Sequence, residues 1–188
     1  MDKHVSFDDE MLILVNSKDE EIGWEDKTTC HMGNGILHRA FSIFIFNDQK
    51  ELLIQQRSDQ KLLWPLFWSN SCCSHPRKGE SIESAAQRRL KEELGINTKL
   101  KFLYKFQYQA AFDDIGSENE LCSVFVGKSN GPVDVNRNEI AEWKFIPIET
   151  LDRELAENPE NYTPWFKMEW GRLRKTYWQE IQQLQANL

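Results

Sequence analysis

The sequence predicts an α+β fold in which helices cover a mixed sheet in a three-layer arrangement. Strand-like runs come before and after one central helix pattern at residues 81–95. The turn "NDQK" at 47–50 joins two strongly apolar runs, and an amphipathic stretch at 164–188 ends the chain. The chain has 188 residues and no internal repeat, so we expect one domain over residues 1–188.

Each early element has its own signal. Residues 10–27, "EMLILVNSKDEEIGWEDK", predict a strand, a polar turn and a second short strand. Residues 39–57 predict a hairpin of two mostly buried strands, because polar alternation in "ELLIQQR" is weak. Ser81 and Glu83 stand at the start of the central helix, and Gly95 closes it.

Three strand-like runs follow the central helix, at residues 99–112, 120–128 and 142–148. The stretch "PWFKMEWGRLRKTYWQEIQQLQANL" then predicts an amphipathic terminal helix at 164–188. Strands therefore flank the central helix on both sides, as expected for a mixed sheet between helices.

Composition is that of a soluble globular protein, with 40% hydrophobic and 28% charged residues. The net charge of −7 argues against a nucleic-acid surface but allows a locally basic pocket for a small anion. No apolar run reaches the roughly 18 residues of a membrane span, and the acidic N-terminus lacks a signal-peptide pattern. We therefore expect a cytoplasmic protein with reduced cysteines.

The loop "WSNSCCSHPRKGE" at 68–80 places Cys72 and Cys73 just before His75. A disulfide, a metal site and a reactive thiol are the candidate uses of this loop. A disulfide fits a reducing compartment poorly. A structural zinc site could also draw on Cys30, although the usual Cys-x₂₋₄-Cys spacing is missing.

The helix after this loop matches the spacing of the Nudix signature. The matching positions are Glu80, Arg88, Leu90, Glu92, Glu93, Gly95 and Ile96. Ser74 replaces the first glycine of the signature, and Arg89 replaces the glutamate after its arginine. Arg89 shares a helix face with Glu93, and a cation there can bind phosphate oxygens but not Mg²⁺. The departure favours holding a diphosphate over hydrolysing it.

A longer set of motifs resembles the type I isopentenyl-diphosphate isomerases, a branch of the Nudix fold. The motifs are Trp64-Pro65, Trp68, Asn70-Ser71-Cys72-Cys73-Ser74-His75-Pro76 and Glu118-Asn119-Glu120, within a likeness that covers about residues 10–170. The resemblance implies a Nudix-type α/β/α sandwich with a mixed sheet. It also implies conversion of isopentenyl diphosphate to dimethylallyl diphosphate in isoprenoid biosynthesis, by a 1,3-proton shift through a carbocation-like transition state.

The same resemblance implies catalytic and substrate-binding residues. Cys73 and Glu120 would be the acid–base pair, Tyr108 would relay a proton, and Trp165 would stabilise the cation through its indole ring. The implied diphosphate contacts are Lys27, Arg57, Lys61 and Arg89. The implied partner is thus a small isoprenoid diphosphate, with no nucleic acid or membrane, bound by a monomer or weak homodimer.

Two divalent ions are implied as cofactors. His31, His38, His75, Glu118 and Glu120 would hold one ion, for which Mn²⁺ suits the mixed nitrogen and oxygen ligands best, with Zn²⁺ or Mg²⁺ as alternatives. Glu93 would hold a Mg²⁺ that bridges to the substrate. His4, near the N-terminus, is interpreted as an ordinary core or surface histidine.

Two other functions are compatible with these residues. A Nudix pyrophosphohydrolase would release phosphate in a reaction indifferent to Cys73. A non-catalytic zinc or ligand-binding module would bind the diphosphate without moving any proton.

Overall fold

A mixed sheet of nine strands lies at the centre of the computed structural model, which describes residues 3–187. The strands are β1 (Met11–Val15), β2 (Glu21–Asp26), β3 (His38–Phe46), β4 (Glu51–Arg57), β5 (Trp68–Ser69), β6 (Cys72–Ser74), β7 (Leu100–Phe112), β8 (Gly116–Lys128) and β9 (Ile140–Pro147). The helices are α1 (Lys27–His31), α2 (Ile82–Leu94), α3 (Ile148–Glu157), α4 (Pro164–Arg172) and α5 (Trp178–Asn187), with a 3₁₀ turn at Pro159–Asn161 and a π-helical turn at Leu173–Tyr177.

The predicted strands and the central helix are confirmed with shifted ends. Ser81 caps α2 by accepting from the Ser84 N–H, and Gly95 ends it in the left-handed conformation with φ of 67°. The predicted terminal helix is interrupted by the π-helical turn between α4 and α5, and residue 188 lies outside the described residues. Helices α1 and α3 and strands β5 and β6 were not predicted from the sequence. Three of these are too short to carry a periodic pattern.

Strand β3 organises the sheet because its two edges are used differently. One edge pairs in parallel with β8 along its whole length, from His38 opposite Glu120 to the end of β3 at Phe46. The other edge pairs in turn with β1, β6 and β4. The predicted hairpin at residues 39–57 is therefore closed only beside its turn, where Phe46 pairs with Leu52.

The loop between β5 and β6 fills the gap that opens between β3 and β4. The Ser71 hydroxyl accepts from the Ile45 N–H at 2.8 Å and donates to the Leu53 carbonyl at 2.6 Å. The Asn70 amide donates to the Ile43 carbonyl at 3.3 Å. Both side chains are fully buried, so they replace backbone bonds that two adjacent strands would otherwise make. This Asn-Ser pair fixes where β6 begins.

Side chains alternate along β3 and give the sheet two covered faces. Phe41, Ile43 and Ile45 pack with the apolar face of α2. Phe44 and Phe46 pack with residues of the C-terminal helices. The fold is therefore the predicted α/β/α sandwich with a mixed sheet. Within residues 3–187, no helix combines the length and the apolar character needed to cross a membrane.

An acidic residue of α4, Glu169, is fully buried in this core. Its Oε1 accepts from the Cys122 thiol at 3.5 Å, and its Oε2 has no hydrogen-bond partner among the described residues. Burial raises the pKa of Glu169 to about 8, although hydrogen bonds from Ser42 and Cys122 oppose the shift. The carboxyl group is therefore mostly protonated near neutral pH.

We expect Ser71→Ala to lower the free energy of unfolding by about 1–3 kcal/mol, because two buried backbone groups would lose their partner. Urea denaturation measures this change. Ser17→Ala, at an exposed serine between β1 and β2, is the matched control and should stay within about 0.5 kcal/mol of wild type. A Ser71→Ala variant as stable as wild type would contradict the bridging role of this hydroxyl.

The protonated Glu169 should make stability depend on pH. The folded-state pKa of Glu169 lies above the ordinary value of 4.5. The contribution of Glu169 to the free energy of unfolding is therefore fully present below pH 4.5 and is lost as pH rises towards about 8. The expected slope is about 1.4 kcal/mol per pH unit within this window. Glu169→Gln should remove that slope, which urea denaturation at several pH values would measure. Parallel pH profiles for wild type and variant would argue against a buried neutral Glu169.

Candidate active site

A cavity of about 570 Å³ collects most of the residues that the sequence singled out. The predicted site residues that line it are Lys27, His31, Arg57, Lys61, Cys73, His75, Arg89, Tyr108, Glu118, Glu120 and Trp165. His38 is fully buried, and its ring contacts that of His31. Glu93 lies behind Arg89, whose Nε donates to it at 2.9 Å.

Strand register places three of these side chains in one row. Tyr108 on β7 pairs with Glu120 on β8, and Glu120 pairs with His38 on β3. Paired residues on adjacent strands point to the same face of a sheet. The Tyr108 hydroxyl accordingly donates to Glu120 Oε2 at 2.6 Å, and His38 Nε2 lies 3.8 Å from Glu120 Oε1.

Helix α1 brings His31 to the same face. Asp26 caps the helix by accepting from the Thr29 N–H. Gly116, at the start of β8, lies so close to α1 that an added Cβ would come within 2.3 Å of the His31 carbonyl oxygen. The absence of a side chain at Gly116 therefore allows α1 to lie against β8, where His31 reaches Glu118.

Five side chains form a group that could hold a metal ion. Ligand atoms of His31, His38, His75, Glu118 and Glu120 all lie within 4.8 Å of one another. The rings of His31 and His38 donate from Nδ1 to backbone carbonyls at 2.6 and 2.7 Å, because a carbonyl oxygen can only accept. That leaves Nε2 of each ring facing the group, as expected for metal-binding histidines.

The protonation states of His38 and His75 suit a metal site, whereas Glu118 raises the pKa of His31 despite its burial. Burial lowers the pKa of His38 to about 4 and that of His75 well below its usual value, so both rings are neutral at neutral pH and can act as ligands. Burial opposes ionisation of Glu118, but its ion pair with His31 outweighs burial and lowers its pKa to about 2. The Nε2 atom of His38 is buried and has no hydrogen-bond partner among residues 3–187. This set of donors fits a divalent ion, and it contains no cysteine.

The two neighbouring cysteines point to opposite faces of the sheet. Cys73 pairs with Ser42 and lines the cavity, whereas Cys72 pairs with Ile43 and packs with the α2 layer. Burial raises the pKa of the Cys73 thiol to about 12, and the positive charge of Arg57 opposes this shift. Arg57 Nη1 lies 3.9 Å from Cys73 Sγ. The thiol that faces the cavity is therefore the one that the sequence predicted.

Trp165 forms an aromatic wall of the cavity. Its Nε1–H donates to the Ser69 hydroxyl at 3.1 Å, which fixes the orientation of the indole. The Trp64 ring meets it edge-on with centroids 5.3 Å apart, and the Tyr108 ring lies 6.2 Å away. The Arg57 guanidinium carbon lies 5.2 Å from the Trp165 ring centroid. Arg57 thus lies beside the thiol and the indole.

The other three predicted diphosphate contacts form a separate cationic group. The charges of Lys61 and Arg89 both act on Lys27, and Lys61 and Arg89 each bond to the carboxylate of Glu139. Glu139 carries no signal in the sequence, because it lies in an irregular segment before β9 and belongs to no motif. Its burial beside two cations is visible only in the folded chain.

Comparisons with known proteins agree with this geometry. The NUDIX domain family matches residues 36–166. Isopentenyl-diphosphate Delta-isomerase 1 of Photorhabdus laumondii is 45% identical over 174 residues, covering 92% of this chain and 99% of that protein. Isopentenyl-diphosphate Delta-isomerase 1 of Bos taurus is 36% identical over 197 residues, covering 93% and 87%.

A solved structure supports the fold. The crystal structure of DR0079 from Deinococcus radiodurans has a TM-score of 0.66 and 25% sequence identity, covering 79% of this chain and 90% of that one. The family match covers most of the strands and the central helix. The alignment with the Photorhabdus laumondii protein covers nearly the whole length of both chains. The chain therefore belongs to the NUDIX domain family and, within it, to the isopentenyl-diphosphate Delta-isomerases.

Proposed function

We propose that this protein converts isopentenyl diphosphate to dimethylallyl diphosphate, a step of isoprenoid biosynthesis. The observation that carries the proposal is that Cys73 and Glu120, on different strands, line one cavity together with Tyr108 and Trp165. A thiol, a carboxyl group and an aromatic wall are the groups that a proton shift along an alkene requires. The relatives named isopentenyl-diphosphate Delta-isomerase support this assignment.

The reaction adds one proton to the terminal alkene carbon and removes another from the carbon two positions away. Protonation removes the double bond and leaves a cation at the middle carbon, and loss of the second proton forms the new double bond. The total number of protons in the substrate is unchanged. Cys73 and Glu120 would serve as the two proton-transfer groups, one on each side of the substrate. Tyr108 would pass a proton between Glu120 and the substrate, and the hydrogen bond of 2.6 Å that its hydroxyl donates to Glu120 supports this role.

The intermediate resembles a tertiary carbocation, which water would trap, so the reacting carbons need a dry environment. Trp165 is 3% exposed, and its indole face would stabilise the positive charge. The hydrogen bond to Ser69 and the edge contact with Trp64 hold this ring before substrate arrives. Such a fixed ring stabilises the cation without further reorganisation.

Binding of the diphosphate group orients the alkene. Lys27, Lys61 and Arg89 would bind its oxygens as a group, and Arg57 would contact it from the side of the reacting thiol. Binding energy from the diphosphate can then lower the activation barrier at carbons that the cations do not touch. Arg57 links the two ends of the site, since it also lies beside Cys73 and Trp165.

His31, His38, His75, Glu118 and Glu120 would hold a divalent ion, for which Mn²⁺ is the best match, with Zn²⁺ or Mg²⁺ as alternatives. Glu93 would hold a Mg²⁺ at the diphosphate. The positive charge of a bound ion would favour the carboxylate form of Glu120, whose pKa burial and the neighbouring Glu118 raise well above its usual range. Arg89 argues against a hydrolase, because it puts a guanidinium where the Nudix signature has a glutamate, and a cation cannot bind metal.

We expect Cys73→Ala to lower kcat by at least about 10³-fold, because a group that transfers a proton is lost. The measurement is deuterium incorporation into dimethylallyl diphosphate during incubation with isopentenyl diphosphate in D₂O. Cys72→Ala is the matched control, since that thiol faces α2, and it should keep most of the activity. Near-full activity of Cys73→Ala would contradict the isomerase assignment, and phosphate release by wild type would favour a pyrophosphohydrolase.

Replacing His38 tests the metal site. We expect His38→Gln to lose most of the bound divalent metal and at least about 10-fold in activity, because Nε2 has no other partner to satisfy. Elemental analysis of the purified protein measures the metal directly. His4→Gln changes an exposed histidine that lines the cavity but lies outside the ligand group, and it should keep the wild-type metal content. Unchanged metal content in His38→Gln would remove His38 from the ligand set.

A further inference from the structure

Three cations lie close together in the cavity. Lys27, Lys61 and Arg89 all line it, and the pKa of Lys27 is lowered by burial first and then by the charges of Lys61 and Arg89. Like charges this close repel one another strongly in a partly dry site. A structure that gathers such cations needs a negative charge among them.

Glu139 supplies that charge. A single oxygen, Oε2, accepts from Lys61 Nζ and from Arg89 Nη2, the latter at 3.0 Å. Glu139 is 4% exposed. Burial opposes its ionisation, but Lys61 and Arg89 outweigh burial and lower its pKa to about 2. It is therefore a carboxylate at every pH of interest.

The backbone holds Glu139 in this position. Its N–H donates to the Asn136 carbonyl at 3.0 Å, and its own carbonyl accepts from the Ser58 N–H at 2.9 Å. The Asn136 N–H donates in turn to the carbonyl of Glu93 on α2, at 2.9 Å. The segment is thus attached to α2 on one side and to the loop after β4 on the other. These are the two elements that carry Arg89 and Lys61.

Arg89 already has protein acceptors at all three of its nitrogen atoms. Nε donates to Glu93 at 2.9 Å, Nη1 donates to the Val5 carbonyl at 2.6 Å, and Nη2 lies between Glu93 and Glu139. Phosphate oxygens that bind this guanidinium must share donors with these acceptors or replace them. Glu139 is the acceptor that Arg89 shares with a second cation.

We propose that Glu139 is a built-in counter-ion of the diphosphate subsite: it positions Lys61 and Arg89, and it competes with the diphosphate for them. The inference rests on the proposed function, because it concerns binding of the diphosphate group of that substrate. Substrate and product carry the same diphosphate, so tighter binding of this group lowers KM without accelerating the proton transfers. A carboxylate that weakens binding of the diphosphate allows both substrate and product to dissociate readily.

The test measures binding of inorganic pyrophosphate to the purified full-length protein by calorimetry, without added Mg²⁺. Glu139→Gln keeps the shape and one acceptor oxygen but removes the charge, and it should bind pyrophosphate at least about fivefold more tightly. Glu139→Asp keeps the charge and should bind within about twofold of wild type. Glu142→Gln, an equal charge change at an exposed position of β9, should also match wild type. Thermal unfolding of each variant checks that it is folded.

Isomerisation kinetics provide the second readout. KM of Glu139→Gln should fall together with the pyrophosphate Kd, whereas kcat should not rise. Equal or weaker pyrophosphate binding by folded Glu139→Gln would overturn the counter-ion role and leave Glu139 as scaffolding. Equal tightening in Glu142→Gln would also overturn it, since net charge alone would then explain the effect. Failure of the isomerase function would appear separately, as a wild type that binds pyrophosphate but forms no dimethylallyl product.

Discussion

The parallel register between β3 and β8 is the constraint on which the site depends. It sets His38 beside Glu120, and the antiparallel register of β7 adds Tyr108 to the same row. Side chains alternate between faces of a strand, so a slip of one residue would send His38 or Glu120 to the α2 face. The same alternation in β6 sends Cys73 to the cavity and Cys72 to the other layer. The geometry of the candidate site therefore follows from the strand pairing of this sheet.

The site gathers ionisable groups that a folded protein rarely buries together. Burying a charge costs free energy unless it is paired or hydrogen-bonded. Here the Nδ1 atoms of His31 and His38 bond to backbone carbonyls, and Glu118 pairs with His31. The Nε2 atom of His38 remains without a partner in the described part of the chain, which is the kind of local cost that functional sites retain. The cost of burying this nitrogen without a partner is explained if it is kept available for a ligand.

Arg89 gives the central helix a different electrostatic character from that of a metal-binding acidic face. Its guanidinium joins Glu93 on α2 to Glu139 in the segment before β9 and also holds the Val5 carbonyl near the N-terminus. One residue thus connects three parts of the chain around the cationic end of the cavity. Arg57 lies beside Cys73 and Trp165 instead. The cations of the cavity therefore have different neighbours: an acidic group around Arg89, and a thiol and an indole beside Arg57.

The amino-acid sequence is sufficient to predict the central helix with its caps, most of the strands, and the residue types of the site. These follow from local patterns: helix and strand periods, capping residues, and the fixed spacing of the motifs around Cys73 and Glu120. The folded chain sets three other features: Ser71 lies between β3 and β4, Arg57 lies beside Cys73 and Trp165, and Glu139 lies between Lys61 and Arg89. Those features depend on strand register and on contacts between segments distant in sequence. A periodic pattern carries no information about either, because it records only which face of its own element a residue occupies.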